Sequence, residues 1–126
     1  MYQLNRGDIC LVNLPDSGGT SLQNGFQRPM IIVSNNKANQ YSSVIHAIPL
    51  TTKAKRWMPT HCIIPTSTGL ARESTAMCEQ IMLLPKELFS QKKIGFCDDF
   101  IMSKVDAGVM VQFGLLDSKY NSSVAN

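Results

Sequence analysis

The sequence predicts a mainly β fold: a small, strongly curved β-barrel with helical additions, closed by a C-terminal α-helix. Three observations lead there. Short apolar runs recur between turn signals rich in Gly, Pro, Asn and Ser, which is how strands read. Only one stretch, near the end, repeats apolar residues at every fourth position in the manner of an amphipathic helix. A chain of 126 residues suits one domain, which should bury about two-thirds of its unfolded surface without staples.

Ile9 to Leu14 is apolar and bounded by Gly7-Asp8 and Pro15-Asp16, so it reads as the first strand. From Pro15 to Gln27 the composition turns to Ser, Gly, Thr, Asn and Gln. A polar loop of about 13 residues is long for a compact domain, and such loops commonly bind or cover something. Pro29 to Ser34 reads as the second strand, with Pro at its first residue, where no ladder donor is lost. Asn35 to Ser43 is polar and suits a helical turn plus a loop. Val44 to Leu50 is the third strand, the basic turn Thr52-Lys53-Ala54-Lys55-Arg56-Trp57 follows, and Thr60 to Ile64 returns as a hairpin partner. Ser74 to Leu83 is one longer strand or two abutting ones, Pro85 to Leu88 a short helical turn, and Lys92 to Phe96 a further short strand.

In the closing helix Asp98 is the N-cap and Asp99 suits the positive end of the dipole. Ile101, Val105, Val109 and Phe113 form its stripe, widened by Met102 and Leu116, and all six are expected in the core. Asp117 onward has no periodicity, which predicts one domain over 1–116 and a flexible tail over 117–126.

A net charge of +3 permits a nucleic-acid partner without demanding one. Cys10, Cys62, Cys78 and Cys97 stand apart, with no Cys-x-x-Cys pair and no histidine at a spacing that completes a zinc site, so they read as buried structural thiols in a reducing cytosol. The first residues lack the apolar core of a signal peptide, and no run approaches the roughly 20 apolar residues of a membrane span. The expectation is a cytoplasmic protein with no metal and no membrane contact.

Two stretches carry the candidate chemistry. Gly25-Phe26-Gln27-Arg28-Pro29 runs into Met30-Ile31-Ile32-Val33, and Pro49-Leu50-Thr51-Thr52 closes the run from Val44 to Ile48. Each puts a polar group at the end of a strand, and a guanidinium beside a hydroxyl suits a phosphodiester. Together with Arg6-Gly7-Asp8, Pro59-Thr60-His61 and Glu79-Gln80-Ile81, this ordered set resembles the MazF/PemK family of toxin endoribonucleases from type II toxin–antitoxin systems, over roughly residues 5 to 116. The resemblance implies an SH3-like barrel of the CcdB/PemK kind. It implies a sequence-specific, metal-independent endoribonuclease that cuts single-stranded RNA, mRNA in particular, by 2′-hydroxyl attack, leaving 2′,3′-cyclic phosphate and 5′-hydroxyl ends. It further implies no cofactor, a homodimer, a cognate MazE-like antitoxin whose flexible acidic segment lies across the substrate groove, and contact with DNA through the toxin–antitoxin complex. A non-enzymatic, CcdB-like toxin that binds DNA gyrase is the alternative, and it would need no Arg-Thr pair.

The resemblance makes Arg28 and Thr51 the catalytic pair. A guanidinium with a pKa above about 12 is a very poor base, so Arg28 is assigned to stabilising phosphorane charge and donating a proton. The resemblance also places a Glu-Gln step before the loop glycine, where this chain has Gln23 and Asn24, amides that cannot take a proton. Glu79 and Gln80 match a later Glu-Gln step near bound RNA, so the chain either relies on Arg28 and Thr51 or uses a different carboxylate such as Glu79. Read as strand neighbours they face opposite sides, which favours Gln80 as the reader of a base edge. Thr52, Lys53, Lys55 and Arg56 line the basic turn, and Trp57 beside them could stack a base. His46 and His61 read as packing residues inside apolar strands. A histidine-dependent mechanism would instead break near pH 6 to 7 and fail in His46→Ala.

Overall fold

A strand buried on both faces needs neighbours on both edges, and the run Asp8-Ile9-Cys10 is fully covered on either side. The computed structural model, which describes residues 3–14, 26–54 and 56–117, seats that run centrally. Strand β1 (Asp8–Leu14) lies between β2 (Phe26–Ile32) and β7 (Phe89–Phe96). Beyond β2 come β3 (Val44–Thr51), β5 (Ser74–Met77) and β4 (His61–Ile64), while β6 (Met82–Pro85) attaches to the front half of β3. All these pairings are antiparallel.

Strand β3 makes the sheet curl. Its first half, Val44 to Ala47, pairs with β6, and its last two residues, Leu50 and Thr51, pair with β5. Register shifts between β1 and β7 on either side of Cys10 add twist at the other edge. The result is a curled antiparallel barrel.

Period-two alternation sorts the core into two clusters. Ile9, Ile31, Ile48, Leu50 and Ile64 face helix α2 (Asp99–Gln112) and meet Ile101, Met102 and Val105. Cys10, Val12, Met30, Ile32, Ile45, Ala47 and Phe89 form the second cluster on the opposite face. The four cysteines are all buried, as their apolar neighbours implied.

Arg6-Gly7-Asp8 has a backbone cause. Gly7 sits at φ +94°, and a Cβ there would stand 2.8 Å from the Cys97 carbonyl oxygen. Its N–H donates to the Ile32 carbonyl at 2.8 Å and its carbonyl accepts from Cys97 N–H at 2.9 Å, so glycine knots three segments together. Arg6 ties the same corner to α2 by donating to the Val33 carbonyl at 2.6 Å and pairing with Asp106.

Several elements differ from expectation. Strand β2 begins at Phe26, so Pro29 lies within it. Pairing with β3 starts only at Met30, which leaves Pro29 where β2 has β1 alone as its partner. Strand β4 is not the hairpin partner of β3, because β5 lies between them. The run Ser74 to Leu83 is two strands split by a 3-10 turn at Cys78–Gln80. Strand β7 is longer than Lys92 to Phe96. The polar stretch after Ser34 yields helix α1 (Asn36–Tyr41), capped by the Asn35 side chain. Asp98 does cap α2, accepting from Ile101 N–H at 3.0 Å, but Phe113 lies past the last turn and is 60% exposed rather than core. Most of the loop expected from Pro15 to Gln27, and the tail after Asp117, lie outside the described residues.

Candidate active site

Arg28 enters through β2 and Thr51 through β3. The β2–β3 register runs Ile32↔Ala47, Ile31↔Ile48, Met30↔Pro49, and Arg28 and Thr51 each lie two residues beyond its last pair on their own strands. Residues opposite one another share a face. Here it is the face of the second cluster, continuing the row Ile32, Met30 on one strand and Ile45, Ala47 on the other. The guanidinium reaches the end of β3, where Arg28 Nε lies 3.4 Å from the carbonyl oxygen of Leu50, the residue before Thr51. Both side chains are half-buried. On the far side Thr51 pairs with Thr75, a buried hydroxyl that sequence reasoning did not single out.

These contacts dispose the donors. With Nε turned to the backbone, the two terminal nitrogens of Arg28 are the part of the fork that makes no hydrogen bond among the described residues. Thr51 Oγ1 accepts from Lys53 N–H at 3.1 Å, so the hydroxyl proton remains to be donated. A cation and a neutral donor fixed side by side can hold two oxygens of one phosphate group.

The segment after Thr51 places Thr52, Lys53 and Arg56 in solvent, and Trp57 is 41% exposed. Gln23, Asn24 and Lys55 lie outside the described residues.

Glu79 and Gln80 part company for a reason other than strand alternation. They occupy the 3-10 turn between β5 and β6, which sends Gln80 outward and Glu79 inward. Glu79 Oε1 accepts from Thr60 Oγ1 at 2.8 Å, and Oε2 stands 3.4 Å from His61 Nε2. Burial pulls the Glu79 carboxyl upward, but hydrogen bonds from Thr60 and its own amide, with the His61 ring, outweigh it and hold the group below its ordinary value. Glu79 is therefore an ionised carboxylate with both oxygens engaged, a poor position for a mobile base. His61 is buried, as expected, although as a partner of Glu79 and Trp57 rather than as apolar filler. His46 is exposed on β3, contrary to its reading as a packing residue. No local pattern in the sequence announces the Thr60–Glu79–His61 group, because its members are brought together only by the pairing of β4 with β5.

A curled antiparallel sheet in a half-barrel, with one C-terminal helix across a face, defines a class of small, mainly β domains. Residues 5–113 match the family described as PemK-like, MazF-like toxin of type II toxin–antitoxin systems, and the chain belongs to that family. It is 29% identical over 116 residues to Endoribonuclease EndoA of Bacillus subtilis, spanning 90% of this chain and 97% of that protein. Among solved structures it resembles an endoribonuclease in complex with its cognate antitoxin from a mycobacterial species, with TM-score 0.75 and 24% identity, covering 90% of this chain and 98% of that one. It also resembles a MazE-MazF crystal structure from Deinococcus radiodurans, with TM-score 0.75 and 18% identity over 92% of this chain and all of that one. These structures share the fold: mainly β, a curled sheet with a C-terminal helix. Among the described residues no helix is long and apolar enough to cross a membrane.

Proposed function

We propose that this toxin-family member is an endoribonuclease that cuts single-stranded RNA, mRNA among it, at a short preferred sequence without a metal. The observation that carries the reading is the meeting of Arg28 and Thr51 from separate strands, with Arg28 Nε on the Leu50 carbonyl. In-line attack by the ribose 2′-hydroxyl piles negative charge on the phosphorus oxygens. The terminal nitrogens of Arg28 and the hydroxyl proton of Thr51 are the preorganised donors for those oxygens. The products are a 2′,3′-cyclic phosphate and a 5′-hydroxyl. Lys53 and Arg56 steer the backbone, and single-stranded substrate follows because only an unpaired nucleotide can turn into line. Gln80, exposed at the turn beside Glu79, is the described residue best placed to read a base edge.

The relatives solved with antitoxins support a cognate antitoxin for this chain as well. An acidic flexible segment folding onto the Lys53–Arg56 surface would block the same groove, and a homodimer would present two such grooves. The working compartment is the cytoplasm, where mRNA is.

The test is incubation of purified protein with mixed RNA in EDTA, followed by mapping of the ends. Cuts at a recurrent short motif with 5′-hydroxyl ends, lost in folded Arg28→Ala and Thr51→Ala proteins, are the expected result. Intact RNA together with stalled gyrase would sink the nuclease in favour of the gyrase-binding alternative.

A further inference from the structure

The 52–60 segment carries the exposed cations Lys53 and Arg56 and the chain's one tryptophan, yet its described residues lie outside every strand. Its ends do the holding. At the front, Lys53 N–H is bound to Thr51 Oγ1 at 3.1 Å. At the rear, His61 N–H donates to the Met58 carbonyl at 2.9 Å and Cys78 N–H donates to the Thr60 carbonyl at 3.2 Å. The Glu79 carboxylate then forks, one oxygen on the Thr60 hydroxyl at 2.8 Å and the other 3.4 Å from His61 Nε2. The His61 ring meets Trp57 at right angles, with centroids 5.7 Å apart and planes at 89°. The chain of contacts that begins on a partly buried carboxylate thus ends on an aromatic ring in solvent, next in sequence to Arg56.

We propose that Glu79 is a positioning residue, which fixes the rear of this segment through Thr60 and His61 so that the Trp57 indole stands as a stacking platform for an unpaired base of the RNA. The proposal rests on the RNA-cutting reading above. Glu79 therefore acts on substrate affinity without touching substrate. A turn that needed only to close could do so through its backbone bonds, which are already made by Met58 and Thr60. The extra charged fork serves to orient the ring. An indole face offers any base a stacking surface, and flanking cations hold the phosphates on either side.

Because Trp57 is the only tryptophan, its fluorescence reports the platform directly. In Glu79→Ala, acrylamide should quench Trp57 more readily. KM for a single-stranded oligonucleotide should rise about tenfold while kcat stays within about twofold, since a lost charge-assisted contact weakens binding and leaves the Arg28–Thr51 geometry alone. Thr60→Val, which removes one arm of the fork, should show the same pattern more weakly. Glu79→Gln can still accept from Thr60 and donate to a neutral His61, and it should recover most of the loss. Trp57→Ala should raise KM by about tenfold or more. Unchanged Trp57 quenching in Glu79→Ala and Thr60→Val, or a fall in kcat at constant KM, overturns the positioning role. If the parent protein leaves RNA intact, the nuclease assignment itself is wrong, and the quenching series alone then decides whether Glu79 orients Trp57.

Discussion

Removing the Arg28 guanidinium separates chemistry from folding more cleanly than any other single change. Among the described residues its one side-chain hydrogen bond is the 3.4 Å approach of Nε to the Leu50 carbonyl, at the long end of the hydrogen-bond range. Such a bond contributes below about 1 kcal/mol, so Arg28→Ala should lower the melting temperature by only about 3–6 °C. The rate should respond on another scale. One preorganised donor to a developing oxyanion is worth about 10²–10³ in kcat, and Arg28 offers two terminal nitrogens, so Arg28→Ala should lose at least about 10³-fold. Arg28→Lys keeps the charge but replaces a planar fork with a point donor, and it should recover only part of that loss. Thr51→Val should cost about a hundredfold, and the double variant should fall short of the product of the two, because both groups serve the same oxygens. A fluorophore-quencher RNA oligonucleotide cut in EDTA, read beside thermal melts, measures all four. Cutting by Arg28→Ala within tenfold of the parent, or a melting temperature lowered by more than about 10 °C, would show that the arginine is a structural group and the assignment mistaken.

Three other outcomes follow from packing and ionisation. At Gly108 a Cβ would stand 2.7 Å from Cys78 Sγ and 2.9 Å from the Thr60 carbonyl, so Gly108→Ala trades a helix gain of about 1 kcal/mol for about 1–3 kcal/mol of overpacking; a net loss is expected in urea melts, and a gain would refute the close approach. The Glu79 carboxyl is held below its ordinary value, so it stabilises the fold above about pH 4.3 and that contribution drains away as pH falls through the folded-state value. The stability gap between the parent and Glu79→Gln should therefore narrow on acidification, and a gap that widened would reverse the sign of the argument. Burial pushes the Cys62 thiol up to about 11 and Cys97 to about 12, with Cys78 raised further still, so a thiol reagent at pH 8 should label none of these three until the protein unfolds.

Much of the architecture is legible in local pattern because local pattern is what sets it. Val44 to Thr51 is apolar and β-rich, and Asp98 stands three residues before Ile101, the first of a four-residue period, so strand and helix declare themselves. Partnership does not. Strand β4 follows β3 after a basic turn and looks like its hairpin mate, yet β5 intervenes, since only tertiary closure decides which edge is filled first. The same limit applies to Glu79. Read as a strand residue it alternates with Gln80, whereas a 3-10 turn at Cys78–Gln80 carries it inward to Thr60 and His61, 19 and 18 residues earlier in the chain. Phe113 illustrates the converse. It keeps the helical period, but the helix ends at Gln112, and the period then points its ring into solvent. Arg28 and Thr51 stand out in the sequence because each lies in a short motif with a proline, Arg28-Pro29 and Pro49-Leu50-Thr51, and their strands are held in register by the apolar alternation of β2 and β3.

That register also explains why the site can be rigid without being buried. Arg28 continues the row Ile32–Met30, and Thr51 continues Ile45–Ala47, all four of those apolar residues being wholly enclosed in the second cluster. Slipping either strand by one residue would turn the enclosed row outward, at a cost no small domain can sustain. The strand segments that carry the cation and the hydroxyl are thus held by enclosed core residues. The opposite cluster, under α2, is where Gly108, Cys78 and Val105 interlock, and Cys78 adjoins Glu79 in the turn that binds Thr60. One face of the sheet sets the positions of the candidate catalytic groups, and the other reaches the segment that carries Trp57. A substitution beneath α2 should accordingly disturb substrate affinity before it disturbs the chemical step, whereas one in the second cluster should do the reverse.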